Sequence, residues 1–248
     1  MNNIHNQYNL QQFYKDLHEL DITLSDSQAE QFIQYYEMLI EKNQVMNLTA
    51  ITDFDEVLKK HFVDSLSLVR ACDLGSVNGE VSLIDIGTGA GFPGIPLKIA
   101  FPKLKVTLMD SLNKRIDFLN EVIIALKLDG IDAIHGRAED YAKPDQLREE
   151  YDLCVSRAVA NLSTLSEYCL PYVKVGGKFI SYKSEKVAEE LEEAENAISI
   201  LGGKTVEQIA FTLPDSDIYR NLVMIKKISE TPRKYPRKAG TASKNPLK

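Results

Sequence analysis

The sequence predicts an α/β fold, a mostly parallel seven-stranded sheet that ends in an antiparallel hairpin and is preceded by a helical subdomain. Three features carry this expectation. Beyond Gly75, short apolar runs alternate with longer runs of helical period; a glycine cluster follows the first apolar run; and the last two strand-like runs have no helix between them.

Residues 1–75 read as helices. Leu10, Phe13, Leu17 and Leu20 recur at three- and four-residue steps, and Ala29, Phe32, Tyr36, Leu39 and Ile40 repeat the pattern, so each run presents one apolar stripe. Ser25 and Gln28 stand at capping-box spacing where the second helix starts. Asp53 and Glu56 repeat that spacing before a third helix, whose stripe is Val57, Phe62, Leu66 and Val69. The polar stretch 43–52 connects the two.

The period then changes. Residues 81–86 form an apolar run of strand length, and others follow at 106–109, 131–134, 153–155 and 179–182, separated by helical patterns at 112–126, 162–173 and 184–201. Such alternation builds right-handed βαβ units and hence parallel strands. The runs at 205–211 and 222–228 succeed each other directly, which an antiparallel pair permits because it needs no crossover. Three regions result: a helical subdomain over 1–75, the sheet domain over 76–230 and a tail over 231–248.

The 248 residues carry 29 Lys and Arg against 36 Asp and Glu, a net charge of −7. Six of the basic residues and none of the acidic ones lie in the tail, which leaves −13 on the first 230 residues. The 44% apolar and 26% charged fractions are those of an ordinary globular chain. Cys72, Cys154 and Cys169 are odd in number and form no CxxC pair, so neither a disulfide framework nor a cysteine zinc site is indicated. His5, His18 and His135 have no metal-ligand spacing, and no metal is expected. The polar N-terminus and the lack of any run of 18 apolar residues speak against secretion and membrane spanning. The reducing cytoplasm is the expected compartment, and a monomer the expected state.

The segment Asp85-Ile86-Gly87-Thr88-Gly89-Ala90-Gly91-Phe92-Pro93-Gly94 falls between the first strand and a helix, which gives the fold a Rossmann-like look. Glycines there let the chain turn sharply and let a ligand approach main-chain N–H groups. The second strand ends in Asp110, 23 residues after Gly87, where such a fold places a carboxylate to accept the hydroxyls of a ribose. A nucleoside-bearing ligand is therefore expected. Gly89-x-Gly91-x-x-Gly94 also satisfies the dinucleotide fingerprint, so an NAD-dependent oxidoreductase stays open on the glycines alone. Two details favour S-adenosylmethionine instead: the acidic Asp85 two positions before Gly87, and the absence of a second mononucleotide half.

At these residues the chain resembles a known family. Gly87 to Gly94, Asp110-Ser111-Leu112-Asn113-Lys114-Arg115, Arg137-Ala138-Glu139 and Ser156-Arg157-Ala158-Val159-Ala160 carry the likeness. They are preceded by Asn47-Leu48-Thr49-Ala50 and His61-Phe62-Val63-Asp64-Ser65, and all are similar to the bacterial ribosomal RNA small subunit methyltransferase G family, also called glucose-inhibited division protein B. The resemblance spans about residues 10–230. It implies a class I S-adenosylmethionine-dependent methyltransferase fold and transfer of a methyl group to nitrogen 7 of one guanine in the decoding-region loop of 16S rRNA. The partner it implies is 16S rRNA, either free or within a small ribosomal subunit or assembly intermediate. By the same resemblance Gly87, Gly89, Phe92 and Asp110 line the cofactor pocket, Ala138 and Glu139 meet the adenine, and Arg157, at the end of the fourth strand, serves both cofactor and catalysis.

The chemistry agrees. Guanine N7 has a free in-plane lone pair, so its methylation needs alignment and no general base. The chain lacks the Pro-Cys loop of cytosine-5 methylation, and Cys154 sits in an apolar run as a buried small hydrophobe. The Asn/Asp-Pro-Pro-aromatic motif of exocyclic amine methylation is absent too. Arg157 offers a fork to a carboxylate or to the O6 edge of a base, and an ion pair with a nearby acid is its bland alternative. Asp140 competes with Glu139 for the adenine contact, Phe92 has a plain core reading, and His61 with Asp64 reads as a surface pair or a substrate-side pair. RNA contact is assigned to Lys114, Arg115, Arg137, Arg157, Lys183 and Arg220 near strand and loop ends. The glutamate run 185–195 reads as a solvated helix face. The tail is expected to be mobile and to add phosphate affinity without touching the cofactor. A non-catalytic RNA-binding or assembly protein on the same fold is the remaining alternative.

Overall fold

A computed structural model of the chain describes residues 8–74, 80–157, 159–184 and 187–248. His5, the 75/76 domain boundary, Ala158 and Glu185 lie outside the described residues.

The helices come first. Helix α1 (Gln11–His18) is followed by α2 (Asp26–Asn43), where the capping box forms as the spacing requires: the Ser25 hydroxyl accepts from the Gln28 N–H, and the Gln28 side chain accepts from the Ser25 N–H at 2.8 Å. The Asp53 carboxylate likewise accepts the Glu56 N–H at 3.0 Å and starts α3 (Phe54–Val57). This helix continues through a π turn (Leu58–Val63) into α4 (Asp64–Leu66) and a 3₁₀ turn (Ser67–Arg70). A π turn widens the spiral locally and is common at functional positions; this one contains His61 and directly precedes Asp64.

The sheet has the order β3-β2-β1-β4-β5-β7-β6. Strands β1 (Ser82–Ile86), β2 (Lys105–Asp110), β3 (Ile131–His135), β4 (Tyr151–Arg157) and β5 (Val173–Lys183) run parallel, and β7 (Tyr219–Lys227) pairs antiparallel with both β5 and β6 (Gly203–Thr212). Between them lie α5 (Gly94–Ala100), α6 (Asn113–Ala125), α7 (Ala138–Tyr141), α8 (Leu162–Cys169) and α9 (Val187–Ile200). The expected topology is met, with most strand ends extended by one to six residues, while β1 begins one residue later and β7 ends one residue earlier than expected.

Alternation divides the core in two. Leu83, Leu153, Val155, Ile180 and Met224 face one side, while Ile84, Cys154, Phe179, Val223 and Ile225 face the other. The first side is covered by α1 to α6, whose Phe13, Phe32, Tyr35 and Phe62 pack ring to ring with centroids 5.0–6.5 Å apart. The N-terminal helices thus share one apolar cluster with the sheet. The second side is covered by α8 and α9; Val187, Ala194 and Ile198 of α9 are buried and its glutamates mostly face out.

Residues 231–248 depart from the expected mobile tail. They wrap over α8, with Tyr235 and Ala242 buried and a last turn, α10 (Thr241–Lys244). The Arg148 guanidinium donates to the carbonyls of Thr231 and Tyr235, and Glu149 accepts the Thr231 N–H at 2.7 Å. Glu167, 1% exposed, accepts a forked contact from Arg237 at 2.6–3.0 Å and the Arg237 N–H at 2.7 Å. The physical reason is complementarity: acids of the body supply acceptors that the composition alone does not locate.

Truncating the shared aromatic cluster tests whether helices and sheet unfold as one unit. Phe62→Ala should cost about 3–5 kcal/mol of unfolding free energy in urea titration and still give a single transition.

Candidate functional site

The site is built on the turn after β1. Asp85 is fully buried, and its Oδ2 accepts the Thr88 hydroxyl at 2.7 Å and the Gly94 N–H at 2.9 Å, drawing the two ends of the glycine turn together. Burial pushes its carboxyl up to about 6, against the opposing pull of those two hydrogen bonds. From the helical side the Tyr35 hydroxyl donates to the Ala90 carbonyl at 2.5 Å. Gly87 has φ +72°, and a Cβ there would come within 2.5 Å of the Val159 side chain. Only glycine meets both demands.

Two cavities open at the carboxyl ends of the strands. The first, about 460 Å³, has two carboxylates in its wall, Asp110 from the end of β2 and Glu139 from the start of α7. Apolar surface flanks them, from Ile86, Met109, Ala138 and Val159. Asp110 accepts the Gly89 N–H at 3.0 Å and the Leu112 N–H at 3.0 Å, and Arg115 reaches it at 3.1 Å. Glu139 is buried and accepts the Gly240 N–H at 2.8 Å, whereas Asp140 is exposed beside Lys143. Glu139 rather than Asp140 therefore faces the cavity.

The second cavity, about 480 Å³, lies on the other side of the β4 end and is lined by His61, Asp64, Arg157, Lys183, Glu190 and Arg220 among others. Asp64 holds two arginines, Arg157 at 2.7 Å through Oδ2 and Arg220 at 2.7 Å through Oδ1. Arg157 also donates to the Lys60 carbonyl and to His61 Nδ1, both at 3.3 Å. A guanidinium can only donate, so Nδ1 is the acceptor and Nε2 carries the proton that goes to the Thr49 hydroxyl at 2.8 Å. Burial first, then Arg157, lowers His61 to about 4, so the ring is neutral at pH 7. Phe92 stacks on this ring with centroids 4.6 Å apart, and the Arg157 guanidinium lies 5.1 Å over Phe92.

The expected site residues are thus divided. Gly87, Asp110, Ala138 and Glu139 line the first cavity, and Gly89 joins it through its N–H on Asp110. Phe92 and Arg157 do not line it. Arg157 pairs with Asp64 and lines the second cavity, while Val159, two residues on, lines the first. The surface-pair reading of His61 and Asp64 fails because Asp64 is 3% exposed and both meet Arg157. Of the basic residues assigned to RNA, Arg115 and Arg137 line the first cavity, and Lys183 and Arg220 the second. Tyr168, Gly240 and Ser243 of the first cavity were not expected; a helix-interior tyrosine and a tail glycine carry no local signal.

Cys154 is fully buried, which raises its thiol well above the ordinary range, with Cys169 beside it. Among the described residues no helix is long and apolar enough to cross a membrane.

The fold is shared with solved structures at low identity. The chain aligns with MtNAS in complex with MTA and tNA at a TM-score of 0.52 and 17% identity, over 88% of this chain and 82% of that one. It aligns with M. jannaschii TYW2 in complex with AdoMet at 0.50 and 17%, over 62% and 73%. These likenesses speak to the class I methyltransferase fold alone. Sequence relatives are far nearer. The ribosomal RNA small subunit methyltransferase G of Lachnoclostridium phytofermentans is 57% identical over 95% of this chain and 96% of its own, and that of Alkaliphilus metalliredigens 54% over 93% and 95%. The model of the GidB family, rRNA small subunit methyltransferase G, matches residues 28–219, a span that holds the glycine turn, Asp110, Glu139 and Arg157 and stops one residue short of Arg220. With identity this high over nearly the whole length, and with the motifs converging on two adjoining cavities, the chain belongs to the rRNA small subunit methyltransferase G family.

Proposed function

We propose that the protein transfers the methyl group of S-adenosylmethionine to nitrogen 7 of a guanine in the decoding-region loop of 16S rRNA. One observation carries the assignment beyond family membership: the end of β4 separates two cavities, with Val159 lining the first and Arg157 the second, and Phe92 of the glycine turn stacks on His61 and lies under Arg157, both in the wall of the second.

The first cavity suits the cofactor. Asp110 supplies acceptors for ribose hydroxyls, Glu139 an acceptor for a purine amine, and the apolar flanks a slot for the purine ring. A dinucleotide fits less well. The N–H of Gly94, at the start of α5, is taken by the buried Asp85 carboxylate, so a negative group already occupies the place where a pyrophosphate would need to sit. AdoMet is the ligand named for TYW2, which shares this fold. When bound, the cofactor supplies a methyl group on a sulfonium. The glycine turn lets main chain approach that ligand without a Cβ between.

The second cavity suits the base. Arg157, Arg220, Lys60 and Lys183 bring positive charge to an otherwise acidic body, and each can hold phosphate or the O6 edge of guanine. Asp64 and Glu190 offset the charge that moves onto the base as N7 is methylated. No proton has to leave N7, and neutral His61 acts as a positioning residue: it fixes the plane of Arg157 through Nδ1 and stacks on Phe92. We further place the enzyme in the cytoplasm, as a monomer, where its RNA is found.

Small ribosomal subunits from cells lacking the gene should gain one 7-methylguanosine on incubation with the protein and S-adenosylmethionine, read by nucleoside mass spectrometry; methylation at any other base atom would sink the reading. Arg157→Lys keeps the charge and loses the fork, and should lower kcat roughly 100-fold while the cofactor Kd, measured by calorimetry, stays unchanged. The lowered His61 sets a pH dependence. Unfolded chains protonate this histidine near 6.5 and the folded one only at about 4, so stability is lost as pH falls from 6.5 towards 4. Relative to His61→Asn the native protein should lose up to about 1.4 kcal/mol per pH unit in that window. The raised Asp85 works in the opposite sense between 6 and 3.8, adding stability as pH falls, but it is common to both proteins and cancels in the difference.

A further inference from the structure

The first cavity has a wall that neither the family motifs nor the glycine turn accounts for. Gly240 and Ser243 line it opposite Asp110, and both belong to the segment that follows the sheet. The Gly240 N–H donates to Glu139 at 2.8 Å, and the Ser243 hydroxyl donates to the Gly240 carbonyl at 3.2 Å. Gly240, at the N-cap of α10, has φ +80°, a left-handed conformation that glycine adopts without strain. Tyr168, the aromatic ring of this wall, comes from α8 on which the segment rests.

The wall is anchored at several separate points. Arg237 grips the buried Glu167, the Thr164 hydroxyl donates to the Ala242 carbonyl at 3.2 Å, Ser163 donates to the Leu247 carbonyl, Tyr235 is buried in the second core, and Ala242 is buried as well. A segment held only for solubility would need none of these. Its charges Arg233, Lys234, Lys238 and Lys244 are exposed, with the Lys234 ammonium 5.2 Å over the ring of Tyr235.

We propose that residues 235–244 are part of the cofactor site, closing the adenosine end of the first cavity, with Gly240 and Ser243 as ligand-side residues and the Arg237–Glu167 pair as the latch that holds them there. This rests on the reading that the cavity takes S-adenosylmethionine. In consequence cofactor affinity depends on a segment that the sequence presents as a detached basic tail. The latch lies outside the cavity lining, so loosening it changes the wall without altering any group that faces the ligand.

The test uses the full chain and three variants, with affinities for S-adenosylmethionine and for adenosine measured by calorimetry and folding followed by thermal unfolding. Arg237→Gln removes the latch; Ser243→Trp places a bulky ring on an exposed wall position and does not disturb the core; Asp110→Ala removes the opposite wall's carboxylate. The expected result is at least tenfold weaker binding of both ligands in Arg237→Gln and in Ser243→Trp, with wild-type unfolding in the latter. If native protein binds S-adenosylmethionine, Asp110→Ala loses it, and neither Arg237→Gln nor Ser243→Trp changes it, the wall is overturned while the cofactor reading stands. If native protein binds none, both fall. Should Arg237→Gln unfold, Ser243→Trp decides alone.

Discussion

Everything at the ligand edge depends on one buried carboxylate. Asp85 is the last but one residue of β1, and its side chain bonds Thr88 and Gly94, closing a turn that main-chain bonds from Gly87 and Thr88 to the Met109 carbonyl already tie to β2. Its other oxygen, Oδ1, has no partner among the described residues, and burying it has a cost that the raised carboxyl expresses. The gain is geometric. With the turn drawn closed, the Gly89 N–H points at Asp110, β2 and β1 are tied together beyond the end of their ladder, and α5 starts at a defined angle. The same bond places a buried carboxylate at the start of that helix.

The helical region in front of the sheet completes this arrangement from the other side. Tyr35 reaches Ala90, Gln28 reaches the carbonyls of Ile99 and Ala100 at the end of α5, and the Tyr182 hydroxyl on β5 reaches the Ser65 carbonyl at 2.7 Å. The π turn of 58–63 brings His61 and Asp64 to Arg157, across about 95 residues of sequence. The second cavity is therefore built jointly by helices and sheet, and neither part has it without the other.

How much of this was legible follows from the range of each signal. Strands and helices were readable because burial on two sheet faces imposes a period on Leu83 and Ile84 or on Leu153 and Cys154, and that period is local. The glycine turn and Asp110 were readable because their spacing is short. The side Arg157 faces was not, since it is decided by Asp64 on a distant helix, and the π turn that positions Asp64 leaves no mark in an apolar stripe. The segment after β7 was the largest departure. Its Lys and Arg suggested a mobile segment, yet Glu139, Glu149 and Glu167 give it a bed of acceptors, all three engaging main-chain N–H groups that composition cannot reveal.

That segment also makes the two cavities separable along the chain. Strand β7, which inserts between β5 and β6 to finish the sheet, ends at Lys227, and every residue in the lining of the second cavity precedes that point. Gly240 and Ser243 of the first cavity follow it. A chain cut after Lys227 would contain all seven strands and the lining of the second cavity, while its first cavity lacked a side.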